Sequence, residues 1–441
     1  MKELTGLELD KVLFDMRYAP EGKPVIRAKA INQYMSILRV ATLPIEELMY
    51  DTSKKLYGKN AFIGFHNTFH NNLDGDEVWH TGTIWWSIKR DYGHTDENLS
   101  PPTVLGVGIS YPARAVYNMN YGKDMERVWT KSLYDLQFGI RTIYHAVNDG
   151  FWGVAMEEPK VAEIMSKVEN STRLLNRFNP PLPRIKLLVV YGMEAQYNWY
   201  PNYSQRGIYD VTSKLGMEGK ANSLWQNGYQ NIAVATDVIN DGRLVINEAG
   251  KPTLNGHEFD AVVFLYPQYS KNTTIRFLED YVNKKGKLLV EGFATMDFEG
   301  NDISKTWAKI AEKANSTSFS LANVEKLGVA KNTLVDGVVN EEGSYTFTNV
   351  ESLKSDIPAT FSVTYKGKTY CGIYKGLAAI KFDSKGNLQT LSATKFLQLK
   401  INNKLTMQMS KEADIFAIIK NEKMSCTIAD ETKSTICKFY N

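Results

Sequence analysis

Ile185-Lys-Leu-Leu-Val-Val-Tyr191 is a continuous apolar run, which is typical of a parallel strand buried on both faces of a sheet. Two similar runs follow at Phe259–Tyr266 and Gly286–Glu291, and Thr273–Lys284 between them has helical periodicity. Buried strands that alternate with helices indicate a parallel sheet covered on both sides. The sequence therefore predicts a doubly wound α/β domain over residues 184–300.

The residues before this domain have a different sequence pattern. Asn179-Pro-Pro-Leu-Pro183 is a predicted linker, because proline can neither continue a helix nor donate to a sheet. Residues 1–180 mix helical periodicity with short apolar strands, among them Val104–Ser110. The helical pattern before Gly58 contains Pro44, which we expect to open a second helix. Strands that run into polar, aromatic loops predict a β/α architecture with its site at the strand ends.

The last part of the chain predicts a small all-β module, because short alternating runs are separated by turn residues from about residue 343. We assign residues 301–441 to a connector and this module. Cys426 and Cys437 flank a predicted hairpin turn, so they are either a disulfide across two strands or two buried thiols. No histidine or second cysteine pair stands at zinc-ligand spacing beside them.

Composition excludes several classes of protein. Lys and Arg number 52 against 49 Asp and Glu, so no surplus of basic charge predicts a nucleic-acid or membrane-surface partner. No apolar segment reaches the roughly 18 residues of a spanning helix. No signal peptide is visible after Met1. The sequence as written is expected to be cytoplasmic, and periplasmic or secreted if a signal peptide lies upstream.

Aromatic and titratable residues crowd one stretch of the chain. Five of the 8 Trp lie between Trp79 and Trp152, and five of the 6 His lie between His66 and His145. Aromatic faces stack on sugar rings, while carboxylates, amides and Arg hold the hydroxyls, and a glycosidase needs a carboxylate beneath the anomeric carbon. The segment 85–97 supplies the aromatic faces, the carboxylates and Arg90. The alternative is a solvated loop whose acids cap a helix and whose tryptophans belong to the core.

Two other chemistries fit less well. His66 and His70 with Asp76 are a weak metal set, because the preceding run predicts a strand and His-Glu-x-x-His is missing. The strand before Tyr191 is followed by one glycine and bulky aromatics, whereas phosphate binding needs a glycine-rich turn. Residues 185–300 contain no cysteine, so a thiol-dependent amidotransferase of similar topology has no nucleophile here. We expect neither a cofactor nor a metal.

The chain resembles the carboxyl-terminal portion of family 42-type β-galactosidases and the family 164-like group that includes β-mannosidases. The stretches that carry the resemblance are Arg90-Asp-Tyr-Gly-His-Thr-Asp-Glu97, Val116-Tyr-Asn-Met-Asn-Tyr121, Leu224-Trp-Gln-Asn-Gly-Tyr229, Leu254–Val263 and Gly286–Val290. The resemblance implies part of a (β/α)8 TIM-type barrel over residues 1–180. It further implies an amidotransferase-like, flavodoxin-like domain over 184–300 that builds a homotrimer or another homo-oligomer, and a β-sandwich at the end of the chain.

The family mechanism is retaining, with one carboxyl as acid and a second as nucleophile about 5 Å away. Carried over to this sequence, the resemblance implies that Glu97 is the nucleophile, with Asp96 as runner-up. The expected sugar-binding residues are those that surround this carboxylate pair in the crowded stretch: Asp91, Arg90, His94, Trp85, Trp86, His66, His70, Asn118 and Tyr121. The expected partner is a carbohydrate with a terminal β-linked sugar, whose identity and linkage the sequence leaves open.

The sequence has no clear match to the family's acid/base glutamate. The family's acid/base glutamate follows Asn at the end of the fourth barrel strand, but Glu8, Glu21, Glu46 and Glu47 have neither a strand nor Asn before them. The chain also supplies only about half of the eight strands that a complete barrel has. We therefore expect a retaining β-glycosidase or its carboxyl-terminal portion. The alternative is a catalytically incomplete carbohydrate-binding or scaffold protein.

Overall fold

The computed structural model describes residues 6–18, 23–63, 92–95, 100–110, 115–120, 125–144, 159–195, 197–198, 217–314, 318–420, 423–428 and 437–440. Its helices are α1 Leu9–Tyr18, α2 Pro24–Tyr57, α3 Pro101–Ser110, α4 Met125–Gln137, α5 Pro159–Phe178, α6 Met217–Gln226, α7 Asp237–Asn240, α8 Asn272–Asn283, α9 Ser304–Lys313, α10 Leu321–Lys326 and α11 Val350–Lys354. Within these ranges, no helix is both long and apolar enough to span a bilayer.

The strands fall into four sheets. They are β1 Tyr92–Thr95, β2 Ala115–Asn120, β3 Ile140–Tyr144, β4 Leu187–Tyr191, β5 Asn231–Ala235, β6 Leu244–Ile246, β7 Pro252–Leu254, β8 His257–Glu258, β9 Ala261–Leu265, β10 Leu288–Glu291, β11 Gly337–Val339, β12 Tyr345–Asn349, β13 Ala359–Tyr365, β14 Lys368–Tyr374, β15 Gly376–Phe382, β16 Leu388–Ile401, β17 Lys404–Lys420, β18 Lys423–Ile428 and β19 Cys437–Phe439. The sheets have the orders β1-β2-β3, β10-β9-β4-β5, β6-β7-β8 and a nine-stranded set from β11 to β19.

The chain divides into two compact units, and each unit combines two separate segments of sequence. Unit one contains residues 1–117 and 185–331, and unit two contains residues 118–184 and 332–441. The chain enters unit one for the second time at Ile185, two residues after the proline-rich segment 179–183 ends. The three predicted domains are each continuous in sequence, whereas both observed units join distant segments.

A four-stranded parallel sheet forms the centre of unit one. β4 pairs in parallel with β5 on one side and with β9 on the other, so that Val189 lies opposite both Ala233 and Val263. Every side chain of β4, β5 and β9 is buried. Burial on both faces explains why the sequence of these strands is continuously apolar rather than alternating. The strands lie where the apolar runs predict them.

Helix α3 corrects a prediction, because the run 104–110 is helical and not a strand. All ten residues of α3 are buried, and a short apolar run buried on every side has no period that separates helix from strand. Pro101 opens the helix, a position at which proline has no hydrogen bond to lose. The last carbonyls of the helix are satisfied by side chains, because Asn255 Nδ2 donates to Ile109 O at 2.6 Å and Arg243 Nη1 donates to Ser110 O at 2.5 Å.

Gly106 allows α3 to lie directly on the parallel sheet. A Cβ at this position would stand 2.0 Å from the carbonyl oxygen of Ala233 in β5, far inside van der Waals contact. Gly108 is also close to a neighbour, since its Cβ would stand 2.6 Å from a methyl group of Val116. The helix therefore depends on backbone-to-backbone contact that a larger residue would prevent.

The expected second helix at Pro44 is also wrong, because α2 continues from Pro24 to Tyr57 with Pro44 inside it. Proline removes one backbone hydrogen bond from a helix interior. The first half of α2 is held by buried apolar side chains, including Ile31 and Met35, and Pro44 itself is exposed. The helix ends at Gly58, whose φ of 88° suits glycine, as predicted.

Unit two is built on the nine-stranded sheet, whose pairings from β11 to β19 are antiparallel. The alternating burial of β13 shows one face toward the core and one toward solvent. Apolar side chains from α4, α5, α11 and β15 form a separate cluster: Leu133, Leu136, Val168, Leu174, Leu175, Leu353 and Leu377. The two helices that precede the α/β segment in sequence therefore pack with the carboxyl-terminal sheet.

Lys375, which lies between β14 and β15, is a buried lysine with two acidic partners. The Lys375 side chain is 3% exposed, and its Nζ lies 2.7 Å from Asp356 Oδ1 and also pairs with Glu412. A buried ammonium group needs such partners, because an isolated charge in the interior is strongly disfavoured. The pair with Glu412 lies where β17 departs from regular pairing with β16.

We expect Gly106→Ala to destabilise the protein by about 1–3 kcal/mol or more, because an added methyl group would overlap a backbone oxygen that cannot move alone. Chemical denaturation of the purified variant measures this loss of unfolding free energy. Gly219→Ala in α6 is the matched control, since a Cβ there meets no atom within 4 Å. The control should be neutral or gain up to about 1 kcal/mol from helix propensity. Equal stability of both variants would contradict the assigned contact.

Candidate functional site

Most of the residues predicted to bind or cleave a sugar lie outside the described residues. These are His66, His70, Trp85, Trp86, Arg90, Asp91, Asp96, Glu97 and Tyr121, together with Asp76 of the metal alternative. Two of the predicted residues belong to described strands, His94 to β1 and Asn118 to β2. The roles assigned to all of them stay predictions.

Two of the described strands lie next to predicted site residues in the sequence. β1 is described over Tyr92–Thr95, and Asp96 and Glu97 are the next two residues in the sequence. β2 ends at Asn120, and Tyr121 is the next residue. Helices α3 and α4 separate the three strands, which neighbour one another in the order β1-β2-β3. Successive neighbouring strands joined through helices are the repeating unit of a β/α barrel, whose active sites lie at the carboxyl ends of strands.

Asn118 belongs to a buried polar cluster between β2 and α4. It is fully buried, and its Nδ2 donates to Asp135 Oδ2 at 3.1 Å. Lys131 Nζ donates to the other oxygen, Oδ1, at 2.8 Å. Burial raises the pKa of Asp135, and the Lys131 charge and the hydrogen bonds from Lys131 and Asn118 oppose that rise. The cluster holds the strand that carries Asn118 against its helix.

Sequence reasoning missed Asp135 and Lys131. A Lys and an Asp four residues apart look like an exposed ion pair on a solvated helix face. The one signal in the sequence is that Leu133 and Leu136, which are both buried, flank Asp135. A carboxylate among core leucines needs interior partners, and Asn118 and Lys131 supply them.

A second polar cluster lies at the carboxyl ends of β4 and β5. Glu194 is 3% exposed and follows β4 closely. Thr236 Oγ1 donates to its Oε2 at 2.7 Å, and Asn240 Nδ2 donates to its Oε1 at 3.0 Å. Both carboxylate oxygens thus accept hydrogen bonds from the segment that follows β5. The cluster joins the two strand ends of the sheet.

A third cluster lies at the carboxyl ends of β9 and β10. Lys220 Nζ donates to Glu291 Oε1 and to Tyr266 Oη, both at 2.5 Å, and lies 4.8 Å from the centre of the Tyr266 ring. Burial raises the pKa of Tyr266 more than Lys220 lowers it. Tyr266 has φ 61°, a left-handed conformation that is costly for a bulky residue.

These two clusters stand at the edge where doubly wound sheets bind ligands. The space next to Gly192 is filled by the protein itself, since a Cβ there would stand 2.0 Å from the carbonyl oxygen of Tyr266. The backbone after β4 therefore packs against the backbone after β9. Among the described residues, no group of three or more His, Cys, Asp or Glu side chains is arranged to hold a metal ion.

Comparison with known proteins gives only distant likenesses. No family model matches the chain, and no curated protein matches it. A catalytic mutant of Gan42B, a GH42 β-galactosidase from G. stearothermophilus, is similar in structure with a TM-score of 0.42 and 9% identity over 97% of this chain and 68% of that chain. A β-galactosidase from the psychrophilic Marinomonas ef1 gives 0.36 and 9% over 97% and 64%. One from Bacillus circulans sp. alkalophilus gives 0.29 and 10% over 69% and 39%. At TM-scores below 0.5 these likenesses do not decide the activity of this chain.

The raised pKa of Asp135 predicts a defined pH dependence. The folded protein binds the Asp135 proton more tightly than the unfolded chain, whose pKa is near 3.8. The stability that this proton contributes is present below about pH 4 and is lost as the pH rises through the folded pKa. Relative to Asp135→Asn, the wild-type unfolding free energy should fall over this window by about 1.4 kcal/mol per unit of pKa difference. Urea unfolding at a series of pH values measures both curves.

Lys131→Met provides the control for this pH dependence. Removing the ammonium group takes away an interaction that lowers the pKa of Asp135, so the fall in stability should extend to higher pH than in the wild type. Parallel curves for wild type and Asp135→Asn across the whole range would show that burial does not raise this pKa.

Proposed function

We propose that this chain is a retaining β-glycosidase of the β-galactosidase or β-mannosidase type, or its carboxyl-terminal portion, with Glu97 as the nucleophile. One observation carries the proposal: β1, α3, β2, α4 and β3 alternate as strands and helices do in a β/α barrel, and the three strands are neighbours in one sheet. Asp96 and Glu97 are the next two residues after β1 in the sequence. The carboxyl ends of barrel strands are where such folds bind substrate. The residues around the pair, including Arg90, His94 and Trp85, are of the types that hold sugars.

The proposed reaction is a double displacement. A Glu97 oxygen attacks the anomeric carbon while the bond from that carbon to the leaving oxygen breaks, and an acid protonates the leaving oxygen. Water then attacks the same carbon and loses a proton to the conjugate base, which releases the sugar and the Glu97 carboxylate. Arg90 and His94 orient the nucleophile or hold hydroxyls, and Trp85 and Trp86 supply apolar faces for the ring.

A second candidate is a catalytically incomplete carbohydrate-binding or scaffold protein, and one observation favours it. Glu46 and Glu47, two of the carboxylates that were considered as the acid, lie inside the long helix α2 rather than at the end of a strand. A helix interior is not the position at which the acid of a barrel glycosidase lies. This candidate keeps the sugar-binding residues and the nucleophile position but lacks proton donation to the leaving group.

An activated substrate separates the two halves of the mechanism. Dinitrophenolate leaves without protonation, so a 2,4-dinitrophenyl 2-deoxy-2-fluoro-β-galactoside or β-mannoside requires only the nucleophile, and fluorine slows release of the sugar. We expect the full chain to gain one fluorosugar mass and the modified peptide to contain Glu97. Intact-protein and peptide mass spectrometry measure this. Glu97→Gln should abolish the labelling, whereas Asp96→Asn should retain it.

Substrates with poor leaving groups distinguish the two candidates. Hydrolysis of alkyl β-glycosides that Glu97→Gln abolishes would support a complete enzyme. Labelling at Glu97 without such hydrolysis, together with turnover of the non-fluorinated dinitrophenyl glycoside that azide accelerates, would support the incomplete protein. Labelling at Asp96, or no labelling with either sugar, would exclude Glu97 as nucleophile.

We further propose that residues 184–300 mediate assembly into a homotrimer or another homo-oligomer. Phe293 in this range is 68% exposed and lies two residues beyond the end of β10. Light scattering should give a mass that is a multiple of the 49.9 kDa chain. Phe293→Asp should raise the dissociation constant of the oligomer at least tenfold. On dilution, the monomer mass should therefore appear at a higher protein concentration than in the wild type. Val335→Asp, at a residue 84% exposed but outside this range, is the control and should not shift it. A monomeric wild type would contradict the proposal.

A further inference from the structure

Strand β13 is an edge of the nine-stranded sheet in unit two. It pairs with β14 on one side, and in the part of the chain that the structure describes no strand pairs with its other side. Its seven residues, Ala359-Thr-Phe-Ser-Val-Thr-Tyr365, contain neither a charge nor a proline. Lys366, the next residue, contacts its own chain, where its Nζ donates to Ser384 O. The backbone N–H and C=O groups on the open side of β13 are therefore available to pair with another strand.

The other described edges of this sheet are protected in ways that natural proteins commonly use. β11 and β19 have three residues each, and Lys438 lies at the centre of β19. β18 begins with Lys423. Short edge strands and lysine side chains discourage pairing with a further strand. β13 has neither feature, so it is the described edge of this sheet that is best suited to bind an additional strand.

The side-chain pattern of β13 is the same in both directions along the strand. From the central Ser362, each direction gives an apolar residue, a threonine, and a further apolar or aromatic residue. Phe361 and Val363 are 2% and 3% exposed and belong to the core of unit two. Thr360, Ser362 and Thr364 are exposed on the opposite face. A strand with this symmetry matches a second copy of itself in antiparallel orientation.

We propose that two copies of this chain pair through β13 in antiparallel orientation, with a twofold axis at Ser362. In this register Ser362 lies opposite Ser362 of the second copy, and Thr360 lies opposite Thr364 of the second copy. On the buried face, Phe361 lies opposite Val363 of the second copy, so the apolar layers of the two sheets become continuous. A twofold contact of this kind is closed, because each edge strand covers the other.

The pairing of β13 with β14 shows that the exposed face of β13 accommodates pairs of small polar side chains. Thr364 lies opposite Thr369, and their hydroxyl oxygens are 3.1 Å apart. Ser362 lies opposite Cys371, with 3.4 Å between Oγ and Sγ. Hydroxyl side chains directly opposite each other on antiparallel strands hydrogen-bond and stabilise the pairing. In the proposed dimer, the same kind of contact joins Thr360 of one copy to Thr364 of the other.

Cysteine cross-linking tests the twofold axis, and it starts from a chain without the thiol next to position 362. Cys371→Ser removes that thiol. Cys426 and Cys437 remain; neither is disulfide-bonded in the structure, and peptide mapping distinguishes them from position 362. In this background, Ser362→Cys should form a disulfide-linked dimer when it is oxidised with copper–phenanthroline, because the two copies of this residue face each other. A non-reducing gel measures the rate.

The two threonines of β13 provide matched controls for the register. Thr360→Cys alone, in the same background, should cross-link at least tenfold more slowly than Ser362→Cys, because it faces Thr364 of the second copy. Thr364→Cys alone should be equally slow. An equal mixture of the two proteins should restore the cross-link, and peptide mapping should join position 360 to position 364.

A charge at the axis tests the contact without a cross-link. Ser362→Lys places two like charges opposite each other, which disfavours strand pairing, so the dissociation constant of the dimer should rise at least tenfold in analytical ultracentrifugation. Gln389→Lys is the control, since it adds the same charge at an exposed position of β16, and it should leave this constant unchanged. Thermal unfolding shows whether both variants still fold.

This contact is separate from the proposed assembly through residues 184–300, because β13 belongs to unit two. The Ser362→Cys cross-link should therefore persist when Phe293→Asp is added, and the ultracentrifugation is done in the Phe293→Asp background. The proposal fails if Ser362→Cys cross-links no faster than Thr360→Cys. It also fails if Ser362→Lys and Gln389→Lys dissociate alike, or if the chain stays monomeric in this background.

Discussion

Unit one depends on a contact in which a helix and a strand touch through their backbones. The position of Gly106 has no room for a Cβ beside Ala233 O, so α3 lies directly on β5 of the parallel sheet. Such an approach excludes water from the backbone of both elements, and the carbonyls at the end of α3 must then find partners inside the protein. Asn255 and Arg243 provide them. The segment that follows β1 is thereby attached to the α/β sheet.

The same helix shows where sequence reasoning succeeds and where it fails. The strands β4, β9 and β10 were predictable because each is a short apolar run between turn signals and alternates with amphipathic helices such as α8. Helix α3 has an equally apolar sequence, but it is buried on every side, and its pattern therefore carries no period. The predicted helix boundary at Pro44 is wrong for another reason. The helix loses one hydrogen bond at Pro44, and the burial of Ile31 and Met35 in its first half offsets that loss.

The candidate site was predictable to the same unequal degree. Residue types alone indicate sugar chemistry around Glu97, and this stays a prediction because Glu97 lies outside the described residues. The cluster of Asn118, Lys131 and Asp135 was not predictable, because a helical Lys–Asp pair is the same pattern whether water or a strand faces it. Residues far away in sequence determine which face of α4 is buried. The hydrogen bonds of Glu194 to Thr236 and Asn240 depend likewise on the pairing of β4 with β5.

The interleaving of the two units has a consequence for the order in which the protein is made. The apolar face of α5, with Val168 and Leu174, packs with Leu353 and Leu377, which are synthesised only after the whole α/β segment of unit one. At roughly 10 residues per second, ribosomes add residues 185–331 in about 15 s. During this interval the face of α5 has not yet met its partners, while the parallel sheet is able to form. Gene fragments cut at residue 184 would therefore separate α5 from the core that buries it.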